Sequence, residues 1–262
     1  MGAGAVDLLV DSHCHLDAGE FDADRLKVVE RAREAGVRRQ VVPAVTAVSW
    51  PKLRDVCADH DGLFPAYGLH PMFLGEHHEV HLDELRAWLE RERPVAIGEC
   101  GLDYFIDDLD PAAQAIYFEG QLRLAREFDL PVIVHARRAV DAVTAAIRRI
   151  GPLRGVVHSF SGSQQQAEQL WEQGFMLGLG GPVTYERASR LRKLAATMPL
   201  EWLLLETDAP DQPDAGVRGQ RNEPARLTVV LQTIAQLRGV APSEVAAVTS
   251  ANAERLFALP AR

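Results

Sequence analysis

Two histidines near the start of the chain have the spacing of a pair of metal ligands. His13 and His15 come after an apolar run at residues 8–10, as they would at the end of a buried strand. Alternate side chains of a strand share a face, so both imidazoles point the same way and Cys14 points to the other face. Neutral imidazole is a common ligand of zinc-like ions, although a chance His-x-His on a surface turn would look the same. The rest of the chain has to decide between these interpretations.

Further ligand types follow other apolar runs along the chain. A histidine or carboxylate at one strand end is more often a hydrogen-bonded core residue or a helix cap than a metal ligand. Six of them on one rim are harder to explain, because buried imidazoles and carboxylates without partners are costly and a metal ion removes that cost. The sequence therefore predicts a metal site built from His13, His15, Glu99, His135, His158 and Asp208.

This ligand set offers nitrogen and oxygen only. Such a set favours Zn, Mn or Mg over an iron–sulfur cluster or a cysteine-rich structural zinc. Six ligands are more than one zinc ion needs. Two divalent ions that share a carboxylate would use them all, and Glu99, which is central in the order, is the predicted bridge.

Eight short apolar runs alternate with amphipathic helical patterns and have to position these ligands. The runs lack polar alternation, which is typical of parallel strands buried on both faces. Eight strand–helix repeats predict a TIM (β/α)₈ barrel, in which the C-terminal ends of all strands meet at one mouth. A doubly wound open sheet is the alternative, but no G-x-G-x-x-G follows the first run. The predicted strands lie at residues 8–10, 41–45, 63–69, 95–97, 132–134, 155–157, 175–179 and 202–205.

Length and composition limit the possible functions. The chain has 262 residues, 47% of them hydrophobic, which suits one globular domain over residues 1–262. No apolar run approaches the roughly 20 residues that span a membrane, and residues 1–7 lack a signal-peptide pattern. Three cysteines are too few for a disulfide framework and favour the cytoplasm. The net charge of −9 disfavours nonspecific duplex binding, so a nucleic-acid substrate would need local compensation, such as bound metal ions.

Several polar residues outside the ligand set have two interpretations each. Arg137 and Arg221 are candidate phosphate-binding forks or rim salt bridges. His70 follows a predicted strand, and it either contacts a phosphate oxygen or leaving group or is a structural histidine. Asp103 and Glu206 are expected behind the ligands or at helix caps.

A histidine cluster and two cysteines are expected to be structural. His77, His78 and His81 lie in a polar stretch, for which a solvated loop is favoured over a second metal site. Cys14 and Cys100 are adjacent to ligands in sequence but should face away from them. Both thiols are therefore expected to pack in the core.

Six motifs resemble those of the TatD family of metal-dependent deoxyribonucleases. They occur in order across the whole chain, and two further segments, GGPVTY at residues 180–185 and GQRNEP at residues 219–224, are most similar to the YjjV-like branch. The six motifs are DSHCHLD (11–17), GLHP (68–71), AIGECGLD (96–103), PVIVHAR (131–137), HSFSG (158–162) and LLETDAP (204–210).

The resemblance implies an amidohydrolase-like TIM barrel with a two-metal site and a hydrolase that acts on DNA, with 3′-to-5′ exonuclease activity in some members. One ion would be held by His13, His15, Glu99 and Asp208, and the other by Glu99, His135 and His158. Two such ions can activate water to attack a phosphodiester bond.

In that reaction Asp208 is expected to bind metal and accept the proton of the attacking water, with Glu99 and His70 as further catalytic residues. His70, Arg137 and Arg221 are the candidate substrate-binding residues. The expected substrate is single-stranded DNA or a 3′ end. Neither a membrane nor an obligate protein partner is implied.

Two rival functions remain open at this point. The same metal site could hydrolyse an amide or ester, including an aminoacyl-tRNA ester. Many binuclear enzymes of that wider group use a carboxylated lysine after strand four, whereas this chain has Glu99 there and none of Lys27, Lys52 and Lys193 at a predicted strand end. The other rival is a nucleic-acid-binding or scaffold protein without catalysis, against which the ligand set and the acidic charge both argue.

Overall fold

Strands and helices alternate along the whole described chain. The structure, a computed structural model, describes residues 8–260, so the expectation drawn from residues 1–7 lies outside the described part. The strands are β1 (Leu9–Asp11), β2 (Val37–Pro43), β3 (Leu63–Tyr67), β4 (Ala96–Asp103), β5 (Val132–Arg137), β6 (Gly155–Val157), β7 (Phe175–Leu179) and β8 (Leu203–Leu205). The helices are α1 (Arg25–Glu34), α2 (Trp50–Asp59), α3 (Val80–Glu92), α4 (Pro111–Phe128), α5 (Val140–Ile150), α6 (Gln164–Glu172), α7 (Ser189–Thr197), α8 (Leu227–Arg238) and α9 (Pro242–Leu256).

The eight strands form one parallel sheet in sequence order, from β1 to β8. The first and last strands also come together, because the backbone N–H of Ser12 donates to the carbonyl oxygen of Leu205 at 2.9 Å. A doubly wound sheet would reverse its strand order at a switch point, and the order of these strands has no reversal. The predicted TIM barrel is confirmed, and the doubly wound alternative is wrong.

Two apolar layers stabilise the barrel. The larger one lies between the strands and the surrounding helices. The smaller one fills the interior with one side chain from each strand, and the end of α9 joins it through Leu256 and Phe257. The hydroxyl of Ser250 in α9 donates to the carbonyl of Leu8, just before β1, so α9 covers the barrel end where the strands begin. The strand residues of this layer are Val10, Val41, Ala66, Ala96, Ile133, Val156, Met176 and Leu204.

The helix signals read from the sequence have the expected structural effect in α4. The carboxylate of Asp110 accepts the backbone N–H of Ala112 at 2.9 Å, and Pro111 occupies the first turn. The buried stripe of α4 includes Phe118 and Leu122. No helix within residues 8–260 combines the length and the apolarity needed to cross a membrane.

Three strands extend several residues beyond their predicted bounds, and one of them is β5, which continues past Val134 to Arg137. β2 begins at Val37 rather than Val41, because its first half carries polar residues, among them Arg39, which pairs with Glu254 of α9 at 3.2 Å. β4 continues past Ile97 to Asp103, and all eight of its residues are buried. Glu99 therefore lies inside a strand rather than after one, and this changes how the strand presents it.

Candidate metal centre

A bulge in β4 aims Glu99 into the barrel mouth. Ile97 pairs with Val132 and Cys100 pairs with Val134, so β4 has one residue more than β5 over this stretch. A bulge of this kind redirects a side chain locally. Gly98 has a φ of +155°, and a Cβ there would lie 2.7 Å from the Cβ of Ile133, so only glycine fits the bulge.

One oxygen of Glu99 faces the ligands from β1 and β8. Glu99 Oε2 lies 3.1 Å from His13 Nε2 and 3.5 Å from His15 Nε2. Asp208 Oδ1 completes this group, at 3.4 Å from His13 Nε2 and 3.6 Å from His15 Nε2. We call these three residues the Oε2 group.

The other oxygen of Glu99 faces histidines from β3, β5 and β6. Glu99 Oε1 lies 2.8 Å from His158 Nε2, 2.9 Å from His70 Nε2 and 3.1 Å from His135 Nδ1. We call these three residues the Oε1 group. The two oxygens of a single carboxylate therefore face two separate sets of ligands, which is the arrangement that a bridging carboxylate needs.

The histidines are oriented from behind by acceptors. His15 Nδ1 lies 3.1 Å from the carbonyl oxygen of Pro43, and His135 Nε2 lies 3.0 Å from Asp103 Oδ2. Each ring donates one N–H to that acceptor and turns its other nitrogen toward the centre. Metal-binding histidines are typically held in this way. Asp103 therefore acts behind a ligand, as one of its two interpretations predicts.

His70 has the opposite tautomer. Its Nδ1 accepts the backbone N–H of Met72 at 3.1 Å, so the proton is on Nε2 and is donated to Glu99 Oε1. A ring with a proton on its inward nitrogen is a hydrogen-bond donor rather than a metal ligand. His70 thus differs in role from the other imidazoles of the centre, in line with its exclusion from the predicted ligand set.

Gln212 was not singled out from the sequence, yet it holds Asp208. Its side-chain N–H donates to Asp208 Oδ2 at 2.5 Å, and its own Oε1 accepts the hydroxyl proton of Ser159 at 2.7 Å. Asp208 therefore directs Oδ1 toward His13 and His15, the other two members of the Oε2 group. Neither Gln212 nor Ser159 lies in an apolar run that would have marked it; Ser159 comes two residues and Gln212 seven residues after a predicted strand end.

Two buried glutamines of α4 position the loops that carry the site. Gln121 accepts the N–H of Leu69 at 2.8 Å and donates to the carbonyl of Leu69 at 3.1 Å, next to His70. Gln114 makes the same pair of bonds with the backbone of Asp103, at 2.7 and 2.9 Å. The two glutamines are seven residues apart on the buried face of α4, and this polar interruption of an apolar stripe was the available sequence signal.

The charges in the centre are strongly coupled through Glu99. Burial alone would raise the pKa of this carboxyl, but His158, His70 and His13 hold it well below its usual range. Burial likewise lowers the pKa of His158, and the charge of Glu99 outweighs that effect and raises it to about 9. His13 shows the reverse balance, since burial lowers its pKa to about 4. Burial raises the pKa of Asp208, but the hydrogen bond with His15 and the nearby histidines lower it to about 2.

The contacts between imidazoles test whether this centre suits metal ions. His13 Nε2 and His15 Nε2 are 3.2 Å apart, and so are His135 Nδ1 and His158 Nε2. The outward nitrogens of His15 and His135 donate to their rear acceptors, so each neutral ring has the lone pair of its inward nitrogen available to its own ligand group. Converging lone pairs from nitrogen and oxygen suit a divalent cation such as Zn, Mn or Mg. The residues present therefore fit the predicted metal site.

Glu206 lies behind His158. Its Oε1 accepts the N–H of Ser159 at 2.5 Å and is 3.8 Å from His158 Nδ1. Burial raises its pKa to about 8. A Cβ on Gly178 would lie 2.1 Å from Glu206 Oε2, so glycine leaves the space that this carboxyl occupies. Glu206 supports the site from behind, as one of its two interpretations predicts.

The centre opens into a cavity of about 720 Å³, which we call the mouth cavity. That volume is typical of a small-molecule site. Arg137 lines it, but Arg221 does not: two N–H groups of Arg221 bond to the Asp24 carboxylate at 2.7 and 2.8 Å. Arg221 therefore forms a rim salt bridge, the second of its two interpretations, because its two terminal nitrogens already donate to Asp24. The apolar walls of the cavity are Val45, Met72, Phe73, Phe160, Leu179 and Leu191.

One expectation about the histidine cluster is wrong. His77 is buried rather than solvated, and its Nε2 donates to the carbonyl oxygen of His70 at 2.8 Å. The reason is the 3₁₀ segment Pro71–Glu76, which folds the chain back over His70. His78 is exposed, as expected. The prediction that Cys14 and Cys100 pack in the core is confirmed, since both are fully buried.

The mouth of this TIM barrel gathers five imidazoles and two carboxylates into one centre, and proteins that match the chain are named metal-dependent hydrolases. The family model described as TatD related DNase matches residues 10–258, and the chain therefore belongs to the TatD family.

Several known proteins are similar to this chain over nearly its whole length. The uncharacterized metal-dependent hydrolase YjjV of Escherichia coli (strain K12) is 41% identical, with 96% of this chain and 98% of that protein covered. The protein named 3′-5′ ssDNA/RNA exonuclease TatD of Erwinia tasmaniensis is 36% identical, with 96% of this chain and 100% of that protein covered. The crystal structure of YjjV, a TatD homologue from Escherichia coli K12, has a TM-score of 0.94 at 40% identity and covers 98% of this chain and 100% of its own.

Proposed function

We propose that this chain is a hydrolase that uses two divalent cations to remove nucleotides from the 3′ ends of single-stranded DNA. The observation that carries the proposal is the division of Glu99, whose Oε2 faces one ligand group and whose Oε1 faces the other. His13, His15 and Asp208 would hold one ion and His135 and His158 the other, with Glu99 shared between them. When bound, two such ions supply positive charge to the transition state and make a water acidic enough to lose its proton near neutral pH.

Asp208 is the proposed proton acceptor. Its pKa of about 2 in the metal-free protein means that it is ionised at neutral pH. Such a weakly basic carboxylate accepts a proton only from a water that is already acidified, which matches a metal-dependent reaction. Gln212 donates to Oδ2 and keeps the carboxylate from rotating. The residue thus contributes both a charge for metal binding and a fixed acceptor.

His70 and Arg137 are proposed to act on the phosphate. His70 lines the mouth cavity with its proton on Nε2, where Glu99 Oε1 accepts it. If Glu99 Oε1 bound a metal ion instead, that N–H would be available to a phosphate oxygen or to the leaving group. Arg137 lines the same cavity and is 42% exposed, with its Nη1 3.8 Å from Asp103 Oδ2. That distance is too long for a hydrogen bond, so the guanidinium keeps donors for a phosphate.

Three observations favour a phosphodiester over an amide or ester. A relative that matches the whole chain is named a 3′-5′ ssDNA/RNA exonuclease. Glu99 occupies the β4 position where a carboxylated lysine would serve many amide hydrolases. One arginine, Arg137, lines the mouth cavity of a protein whose net charge is −9. The three free cysteines suit a reducing compartment, and we place the activity in the cytoplasm.

The test is a substrate panel with Mg, Mn and Zn, each supplied to the metal-stripped protein. We expect end-labelled single-stranded DNA to be shortened one nucleotide at a time, with single-stranded RNA as the comparison. Covalently closed single-stranded circles should resist, and their rapid cleavage would rule out an end requirement. Turnover of esters or amides without cleavage of either nucleic acid would replace the proposal by its amidohydrolase rival. The variant Asp208→Asn controls for contaminating nucleases.

A further inference from the structure

A second cavity of about 480 Å³ adjoins the mouth cavity. Ala136 and Ser161 line both cavities, so the two share a wall. The second cavity is also lined by Tyr104, Arg138 and Arg190, and we call it the arginine cavity. It lies outside the metal centre, and none of the predicted ligands contributes to it.

Two consecutive arginines join the cavities through one aromatic ring. The guanidinium carbon of Arg137 is 3.7 Å from the ring centroid of Phe105, and that of Arg138 is 4.5 Å from it. Arg137 lines the mouth cavity and Arg138 lines the arginine cavity. Stacking on a ring uses the face of a guanidinium and leaves its N–H groups along the edge free to donate. Phe105 therefore holds two phosphate-binding groups side by side, one for each cavity.

The donors of this arrangement are largely available. Among residues 8–260, Arg138 has no ion pair or hydrogen bond from its side chain; its one side-chain interaction is the contact with Phe105. Arg190 donates one N–H to the carbonyl of Ser161 at 2.8 Å, which ties it to the shared wall. The carboxylate that lines the arginine cavity, Asp141, accepts an N–H from Gln166 at 2.7 Å. Positive charge thus exceeds negative charge in this cavity of a protein whose net charge is −9.

We propose that the arginine cavity is a subsite for the phosphodiester next to the one that is cleaved. This inference rests on the proposed function. A chain whose 3′ end occupies the mouth cavity has to leave it, and the shared wall leads to the arginine cavity. Arg137 then contacts the phosphate at the metal centre, and Arg138 and Arg190 contact the next one along the strand. The subsite makes oligonucleotides better substrates than small diesters.

The test compares two substrates with Arg138→Gln, using the metal-loaded enzyme. The substrates are a single-stranded hexanucleotide and bis(p-nitrophenyl) phosphate, which has one phosphate only and so offers no second phosphate to the arginine cavity. We expect the KM for the hexanucleotide to rise about tenfold, which is the value of one lost charged hydrogen bond. The kcat, and both constants for the small diester, should change by less than twofold. The dependence of log KM on log salt for the hexanucleotide should lose about 0.7 of slope, as for one phosphate contact on a single strand.

Arg148→Gln is the matched control, because Arg148 is exposed at the far end of α5 and its substitution removes the same charge. It should leave every constant unchanged. Equal effects of Arg138→Gln on both substrates, or equal effects of the two variants on the hexanucleotide, would overturn the subsite. If the wild-type enzyme fails to cleave any oligonucleotide, the proposed function is wrong. The subsite is then judged by fluorescence anisotropy with a labelled hexanucleotide, and equal affinities of wild type and Arg138→Gln overturn it.

Discussion

The two sides of Glu99 differ in the charge and support of their ligands. The Oε2 group combines two imidazoles with the carboxylate of Asp208, and its rear contacts are a backbone carbonyl and the amide of Gln212. The Oε1 group contains imidazoles only. Behind it lie the Asp103 carboxylate, which accepts the proton of His135, the backbone N–H of Met72 and the carboxyl of Glu206. The Oε2 side therefore has a second carboxylate, Asp208, among its predicted metal ligands. On the Oε1 side the carboxylate of Asp103 lies behind a predicted ligand, His135.

This difference predicts two unequal metal sites. A hard divalent ion gains more from a direct carboxylate than from an imidazole, so the Oε2 side should bind Mg or Mn more tightly. The Oε1 side depends on the basicity that Asp103 gives to His135. The shared residue is Glu99, and the largest effects should follow its loss.

Glu99→Gln should weaken metal binding on both sides. Partners that only orient a ligand are typically worth about 10–100-fold in affinity, so the loss of a shared ligand should cost more than about 100-fold at each site. Calorimetric titration of the metal-stripped protein measures both sites. His135→Ala is the control, because it should affect the Oε1 side alone. One site with unchanged affinity in Glu99→Gln would disprove the bridge.

Asp208→Asn should reduce kcat by about 10²–10⁴-fold, the usual contribution of a general base. The amide keeps the size of the side chain and one oxygen, but it lacks the charge that binds metal and accepts a proton. The Oε1 site should retain its ion. A variant with more than a tenth of wild-type turnover would contradict the role of Asp208, and circular dichroism checks that the fold is intact.

Asp103→Asn should lower metal affinity about 10–100-fold on the Oε1 side only. The amide can reverse the hydrogen bond with His135 Nε2 and so move the ring proton to the inward nitrogen. Gln212→Leu is the matched change on the other side, where it removes the donor to Asp208 Oδ2. Its loss of affinity should fall on the Oε2 side and be smaller, since no ligand tautomer changes. Equal losses at both sites in either variant would refute the separation of the two groups.

Metal binding on the Oε1 side should release protons at neutral pH. The pKa of His158 lies at about 9 in the metal-free protein, above its ordinary 6.5, so the ring is protonated at pH 7 and has to lose that proton to bind metal. The affinity of this site should therefore rise with pH until about pH 9. Titrations in two buffers of different ionisation enthalpy count the protons, and identical heats in both buffers would exclude the release.

The sequence predicted the barrel, and it predicted that the candidate ligands lie at one mouth, because both features depend on local patterns. Apolar runs of strand length mark buried parallel strands, and the residue after each run lies at the mouth wherever the strands are parallel. This was enough to group His13, His135 and His158. It failed for the start of β2, where exposed Arg38 breaks the apolar run although the strand continues.

The remaining features depend on contacts between distant residues, which no local pattern reports. The burial of His77 follows from the way Pro71–Glu76 folds over His70. The tautomer of His70 depends on the N–H of Met72, and the exclusion of Arg221 from the mouth depends on Asp24, almost two hundred positions earlier in the chain. Side-chain orientation of this kind follows from the packed structure and not from the spacing of residues.

Residues at the end of α9 fill part of the barrel interior. This limits how early the centre can form during synthesis. Leu256 and Phe257 close the interior layer, and Asp208 has to meet His13 from the opposite end of the sequence. The ribosome therefore has to release the chain beyond Asp208 before the two ligand groups can be brought together, and contacts of such long sequence separation form slowly. Until then the nascent chain offers only local pairs of ligands such as His13 and His15. A cation that needs both ligand groups can therefore be bound only after that point in synthesis.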